Sequence, residues 1–144
     1  MRPLGLADNV IYQAGEFSKE FSQLLTSQFK AQGFNISSEQ FSILVVLWYQ
    51  DGLTQKELSN QLNRDKTTIS RVINTMIKEE WIGRHFDEQD KRIRKIKLTE
   101  KGKTLQEKLV KISGDLYMQA IQGIPESSIH IAALALRRMR KNLI

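Results

Sequence analysis

Cysteine is absent from this 144-residue chain. The protein therefore has no disulfide, no thiol nucleophile and no redox-sensing sulfur, which fits a reducing compartment. Histidine is nearly absent too. His85 and His130 fall in different segments, and neither has a metal-like spacing with another ligand, whereas a zinc site needs about four. No metal site is expected. No nucleophile–base constellation, phosphate-binding glycine loop or paired-carboxylate motif stands out, so neither enzymatic activity nor a cofactor is expected. No apolar run approaches the roughly 20 residues of a membrane span, and the opening "MRPLGLADNV" lacks the apolar core of a secretory signal. The expectation is a cytoplasmic protein without a membrane partner. Repeats, low-complexity tracts and disordered linkers are also missing. A chain of this length buries roughly two-thirds of its unfolded surface and folds without metal or disulfide.

What is present is positive charge, and it is unevenly placed. The net formal charge is +6. Residues 1–53 carry net −2, residues 54–103 net +5 and residues 104–144 net +3. A basic middle segment points to a polyanionic partner without establishing one.

The hydrophobic pattern is mainly helical. Val10, Ala14, Phe17, Phe21, Leu24 and Leu25 recur at helical spacing and give a first helix one apolar stripe. Ser37 and Gln40 are spaced as a capping box ahead of a helix that is apolar almost all round from Phe41 to Trp48, as befits the centre of a core. Thr54 and Glu57 repeat the capping box before a short helix that turns Leu58 and Leu62 inward. After the turn "NRD", Asp65 suits the N-cap of a helix whose Ile69, Val72, Ile73, Met76 and Ile77 form one face. Two short helices joined by a three-residue turn make a helix-turn-helix.

Behind it, "WIGRHF" and "RKIKL" alternate as strands, with Ile82, Arg84 and Phe86 on one side and Arg94, Ile96 and Leu98 on one side. The polar tip "DEQDKR" joins them into a β-hairpin, or wing. Thr99 is placed to cap a long helix carrying Leu105, Leu109, Ile112, Leu116 and Ala120. "GIP" at 123–125 breaks it before a last helix with Ile129, Ala132, Ala133, Leu136 and Leu143. The fold class expected is mainly α with a small β-hairpin.

"TTISRVINTM" on the second short helix, "DKR" at the wing tip and "LTEKG" after the returning strand resemble, in order and spacing, the winged helix-turn-helix of MarR-family bacterial transcription regulators. The resemblance spans essentially the whole chain. It implies a single MarR-type domain over residues 1–144, with a DNA-binding region at 38–100 flanked by dimerisation helices at 7–31 and 101–144. One departure stands out. The family usually has glycine near the end of the recognition helix, where this chain has Glu80. Either the helix ends differently or Gly83 takes up the bend.

A recognition helix enters the major groove with its first turns. Lys66, Thr67, Thr68, Ser70, Arg71 and Asn74 lie opposite the apolar stripe and offer short polar donors and long cations. Hydroxyls and a helix N-terminus suit phosphates, and arginine bonds guanine in a bidentate manner. Helical position alone does not say which touches a base, and a capped, solvated first turn is the plain alternative for the hydroxyls. For the wing, the resemblance implies that Arg92 enters the minor groove, that Asp90 holds the loop, and that Arg94, Lys95 and Lys97 lie along the phosphates.

The function this implies is a homodimeric, sequence-specific regulator of transcription on double-stranded DNA, most often a repressor on a pseudo-palindromic operator. An alternative is a winged-helix module whose basic wing binds an acidic protein. Members of the family often sense small amphipathic or phenolic effectors, which makes such a molecule a further candidate partner. Trp48, Tyr49, Tyr12, Phe17 and Tyr117 would line a pocket for it or pack ordinarily in the core; the ligand-binding residues stay unassigned. Thiol oxidation, used as a signal by some relatives, has no cysteine to act on here.

Overall fold

The computed structural model describes residues 5–144; the first four residues of the opening stretch lie outside it. A 3-10 turn at Leu6–Asp8 leads into α1 (Val10–Ala31). Then come α2 (Ser38–Tyr49), β1 (Leu53–Thr54), α3 (Gln55–Leu62) and α4 (Lys66–Lys78). The wing strands β2 (Ile82–Phe86) and β3 (Arg94–Leu98) are followed by α5 (Glu100–Ala120) and α6 (Glu126–Asn142). Two compact units result, one ending at Ile112 and the other comprising Ser113–Ile144, so the division falls within α5.

The helix starts follow from side-chain chemistry. Ser37 with Gln40, and Thr54 with Glu57, form reciprocal capping boxes in which each side chain satisfies an orphan amide of the first turn. Asp65 accepts from the Thr68 amide at 3.1 Å. Thr99 Oγ1 accepts from the Gly102 amide at 3.0 Å and starts α5.

Helix ends are equally specific. Between α3 and α4, Asn63 adopts a left-handed conformation, φ 50°, while the Arg64 amide reaches back to Ser59 O. Asparagine tolerates this region better than most residues, and the tight turn of the helix-turn-helix depends on it. At the end of α4 both sequence expectations are corrected: Glu80 itself takes the left-handed conformation, φ 61°. The Glu80 amide donates to Ile77 O and the Trp81 amide to Met76 O, the paired bonds of a Schellman cap. Buried Trp81 and Met76 flank that cap, and Thr99 Oγ1 donates to Glu80 O. These contacts hold a side chain where glycine would sit without strain, at a cost of about 1 kcal/mol. Gly83 lies instead within β2, opposite Lys97.

The wing is part of a three-stranded antiparallel sheet, β1-β3-β2, not an isolated hairpin. Leu53 pairs with Ile96 and Thr54 with Lys95. Two residues of strand ahead of a capping box carry too little periodicity to be read from sequence. Asp51 secures the junction, its Oδ1 accepting from the amides of Gly52 at 3.0 Å and Leu98 at 2.9 Å.

The core of the first unit is built from Phe29, Ile43, Leu44, Leu47, Leu58, Ile73, Met76, Ile82 and Ile96, all at most 2 % exposed. Helix α2 packs against α1, α3 and α4, as its apolar circumference predicts. Gly102 completes the join between wing and α5. A Cβ there would collide with the Trp81 carbonyl oxygen, and Trp48 Nε1 donates to Gly102 O at 3.1 Å. The "LTEKG" segment is thus a cap, a strand exit and a close backbone contact in five residues.

Candidate nucleic-acid interface

Helix α4 divides cleanly by face. Ile69, Val72, Ile73 and Met76 are buried, which turns the opposite side outward. Lys66, Thr67, Ser70, Arg71 and Asn74 line one open concave surface, joined by Thr75 and Lys78 further along and by Gln55 from the start of α3. The structure therefore brings together five of the six sequence-predicted α4 residues.

Thr68 is the exception. Its hydroxyl donates to Asp65 Oδ1 at 2.6 Å, and its side chain lines a different depression with Ser42, Arg64 and Val72. The hydrogen bonds of the Thr68 side chain, then its backbone amide, hold the Asp65 carboxyl below the usual carboxylate range. Thr68 is a capping residue, turned about 200° from Lys66 around the helix by the 100° step of each residue. Gln55 carried no separate sequence signal, because a glutamine at a helix start is ordinary.

At the wing tip the acids organise the bases. Asp90 accepts from the Arg92 amide at 3.0 Å, from its Nε at 3.1 Å and from its Nη2 at 3.1 Å. This grip lowers the Asp90 carboxyl below its usual range and raises the Arg92 guanidinium. The Arg92 side chain nonetheless stays 90 % exposed. Asp87, read from the sequence only as part of the acidic turn "DEQD", accepts from the amides of Gln89 and Asp90 and pairs with Lys95 Nζ at 3.1 Å. Its carboxyl is lowered chiefly by the hydrogen bond from Lys95.

The row Arg94, Lys95 and Lys97 is divided by the strand. Arg94 pairs with Phe86 in register and lies over its ring, 5.4 Å from the centroid. Lys95 and Lys97 point to the other face, by the two-residue period of a strand. Arg84, on the Phe86 face, donates from Nη2 to Asn74 Oδ1 at 2.8 Å and ties the wing to α4.

Of the five aromatics considered for a pocket, Trp48 is half-buried, edge-on to Phe41 at 6.1 Å. Tyr49 is 94 % exposed, and Tyr12, Phe17 and Tyr117 are also exposed. Ordinary core packing does not describe these four. Among the described residues no group of three or more His, Cys, Asp and Glu is placed to hold a metal ion, and no helix is long and apolar enough to cross a membrane.

Residues 36–93 match the MarR family model. The organic hydroperoxide resistance transcriptional regulator of Bacillus subtilis is 35 % identical over 101 residues, covering 70 % of this chain and 65 % of that protein. The HTH-type transcriptional regulator YybA of the same organism is 25 % identical over 136 residues, 94 % of this chain and 89 % of its own. The S. aureus MepR–DNA complex superposes with a TM-score of 0.82 at 25 % identity, over 94 % of this chain and 97 % of that one. With its helix-turn-helix, its wing and these relatives in agreement, the chain belongs to the MarR family of winged-helix transcriptional regulators.

Proposed function

We propose that this protein is a sequence-specific double-stranded DNA-binding repressor that acts as a homodimer on a pseudo-palindromic operator in the cytoplasm and has no catalytic role. One observation carries the reading: an outward α4 face of cations and short donors stands beside a wing whose tip arginine is held by an aspartate yet almost wholly exposed. Lys66, Thr67, Ser70, Arg71 and Asn74 enter the major groove, Arg92 the minor groove, and Arg94 and Lys97 meet phosphates. Lys95 reaches a phosphate only by leaving Asp87.

Dimerisation is supported by apolar side chains at both ends of the chain. Phe17 and Leu24 on α1 are 52 % and 54 % exposed, and Ile131 and Leu134 on α6 are exposed as well. Surfaces of this kind mark association sites. A small amphipathic or phenolic effector remains part of the proposal through family membership, without assigned residues.

The test is a fluorescence titration of a mixed-sequence duplex at several salt concentrations, with sedimentation equilibrium on the same sample. A DNA-binding dimer shows affinity falling steeply with salt, as released counterions require, and a mass of two chains. Binding to an acidic protein that weakens with salt, with no duplex binding, would favour the protein-interaction alternative.

A further inference from the structure

Arg84 lies where the β2 face passes from core to solvent. Its same-face neighbour Ile82 and cross-strand partner Ile96 are 2 % and 1 % exposed, whereas Phe86, two residues on, is 62 % exposed. From this edge Arg84 Nη2 reaches across to Asn74 Oδ1 at 2.8 Å, ten residues back in sequence and on another element. Asn74 also lines the concave α4 surface with Lys66, Ser70 and Arg71.

We propose that Arg84 is a positioning residue that fixes the Asn74 amide so that it meets DNA as a hydrogen-bond donor and selects a base edge presenting an acceptor. This rests on the DNA-binding reading above and deepens it.

The chemistry sets the amide's orientation. A guanidinium has five donors and no acceptor, so the oxygen of Asn74 must face it, which leaves the NH₂ as the free pole. An unrestrained asparagine reads adenine by accepting from N6 and donating to N7 together. Here the oxygen is engaged, and a positive charge beside it opposes the approach of a second donor such as an adenine amino group. Acceptors remain: guanine O6 and N7, or thymine O4. The strand and helix are each rigid where they carry the pair, since Ile73 and Ile82, beside Asn74 and Arg84, are almost wholly buried. The contact also couples the wing to α4, so the two DNA-facing elements keep one spacing.

The experiment uses the full chain, its operator obtained by selection from random duplexes, and duplexes varied one base pair at a time. Wild type, Arg84→Ala, Arg84→Lys, Asn74→Ala and the Arg84→Ala/Asn74→Ala double variant are titrated, and each is melted thermally to verify folding. Asn74→Ala should lower discrimination at one base pair per half-site, by about tenfold. Arg84→Ala should lower it at that same pair, and the double variant should be no worse than Asn74→Ala alone. Arg84→Lys, which keeps a donor, should restore part of the preference and tests the idea even if the alanine variant folds poorly. Losses that multiply in the double variant, or an Arg84→Ala protein with unchanged base preference, would overturn the proposal while leaving DNA binding intact. Wild type with no base preference anywhere would instead remove the sequence-specific reading of the proposed function, and the proposal with it.

Discussion

Asp90 and Arg92, two residues apart at the wing tip, are joined by three hydrogen bonds, one from the Arg92 backbone and two from its guanidinium. The carboxylate fixes both the loop and the direction of the exposed arginine. Asp90→Ala should therefore weaken DNA binding by about 1 kcal/mol, the scale of ordering one long side chain on binding. Titration of the operator measures it, and a loss equal to that of Arg92→Ala would mean Asp90 does more than orient.

The same geometry sets a pH dependence. Asp90, Asp87 and Asp65 all have carboxyls held below the ordinary value of 3.8. A depressed folded-state pKa contributes order that is fully present above the unfolded value and is lost as pH falls through the lowered one. Wing order should thus be constant from about pH 8 to about pH 5 and fail only in the acid range below the usual carboxylate value. Backbone amide NMR signals of Gln89, Asp90 and Arg92 report it. A transition near neutrality would contradict this assignment.

Arg92→Ala should leave thermal stability within about ±0.5 kcal/mol, because a projecting surface side chain has little packing to lose. Affinity should fall, and the preference for A·T-rich flanks should weaken, because minor-groove width and potential lose their reader. Melts and titrations on operators with varied flanks decide the matter. A well-folded variant with unchanged affinity would show that the wing does not touch DNA.

Arg71→Ala should cost about 1–3 kcal/mol on the operator and relax preference at one position, if its guanidinium reads a base edge. Matched and mismatched duplexes separate the cases. An equal loss on both would make Arg71 a phosphate contact.

Two substitutions at the join of wing and α5 should move stability in opposite directions. Gly102→Ala drives a methyl into the Trp81 carbonyl and disturbs the Trp48 hydrogen bond, so it should destabilise by about 1–3 kcal/mol. Glu80→Gly relieves a left-handed side-chain position and should stabilise by up to about 1 kcal/mol. Urea unfolding measures both, and stabilisation by Gly102→Ala would refute the packing described.

The helices, their caps and the wing were legible because each has a local signature: a capping box, a 3.6-residue stripe, a two-residue alternation. The shared outward surface of five α4 residues followed from that stripe. Thr68 did not, because its hydroxyl serves two purposes at one helical position and the cap wins. β1 was missed because two residues carry no period. The Glu80 bend was unreadable because what stabilises it, the Thr99 hydroxyl and the Trp81 packing, comes from tertiary contacts. Arg84 was seen as a strand residue, but its bond to Asn74 joins two elements whose relative placement no local pattern encodes. Asp87 looked like turn chemistry, and it is, with the added role of holding Lys95.

Selection of bound duplexes from a random library by the purified full-length chain tests sequence-specific DNA recognition most directly. Enriched sites should carry two inverted half-sites with centres about 34–36 Å apart, one helical turn, as a two-fold symmetric pair of recognition helices requires. Recovery of no enriched sequence after repeated rounds, from protein that remains folded, would contradict it.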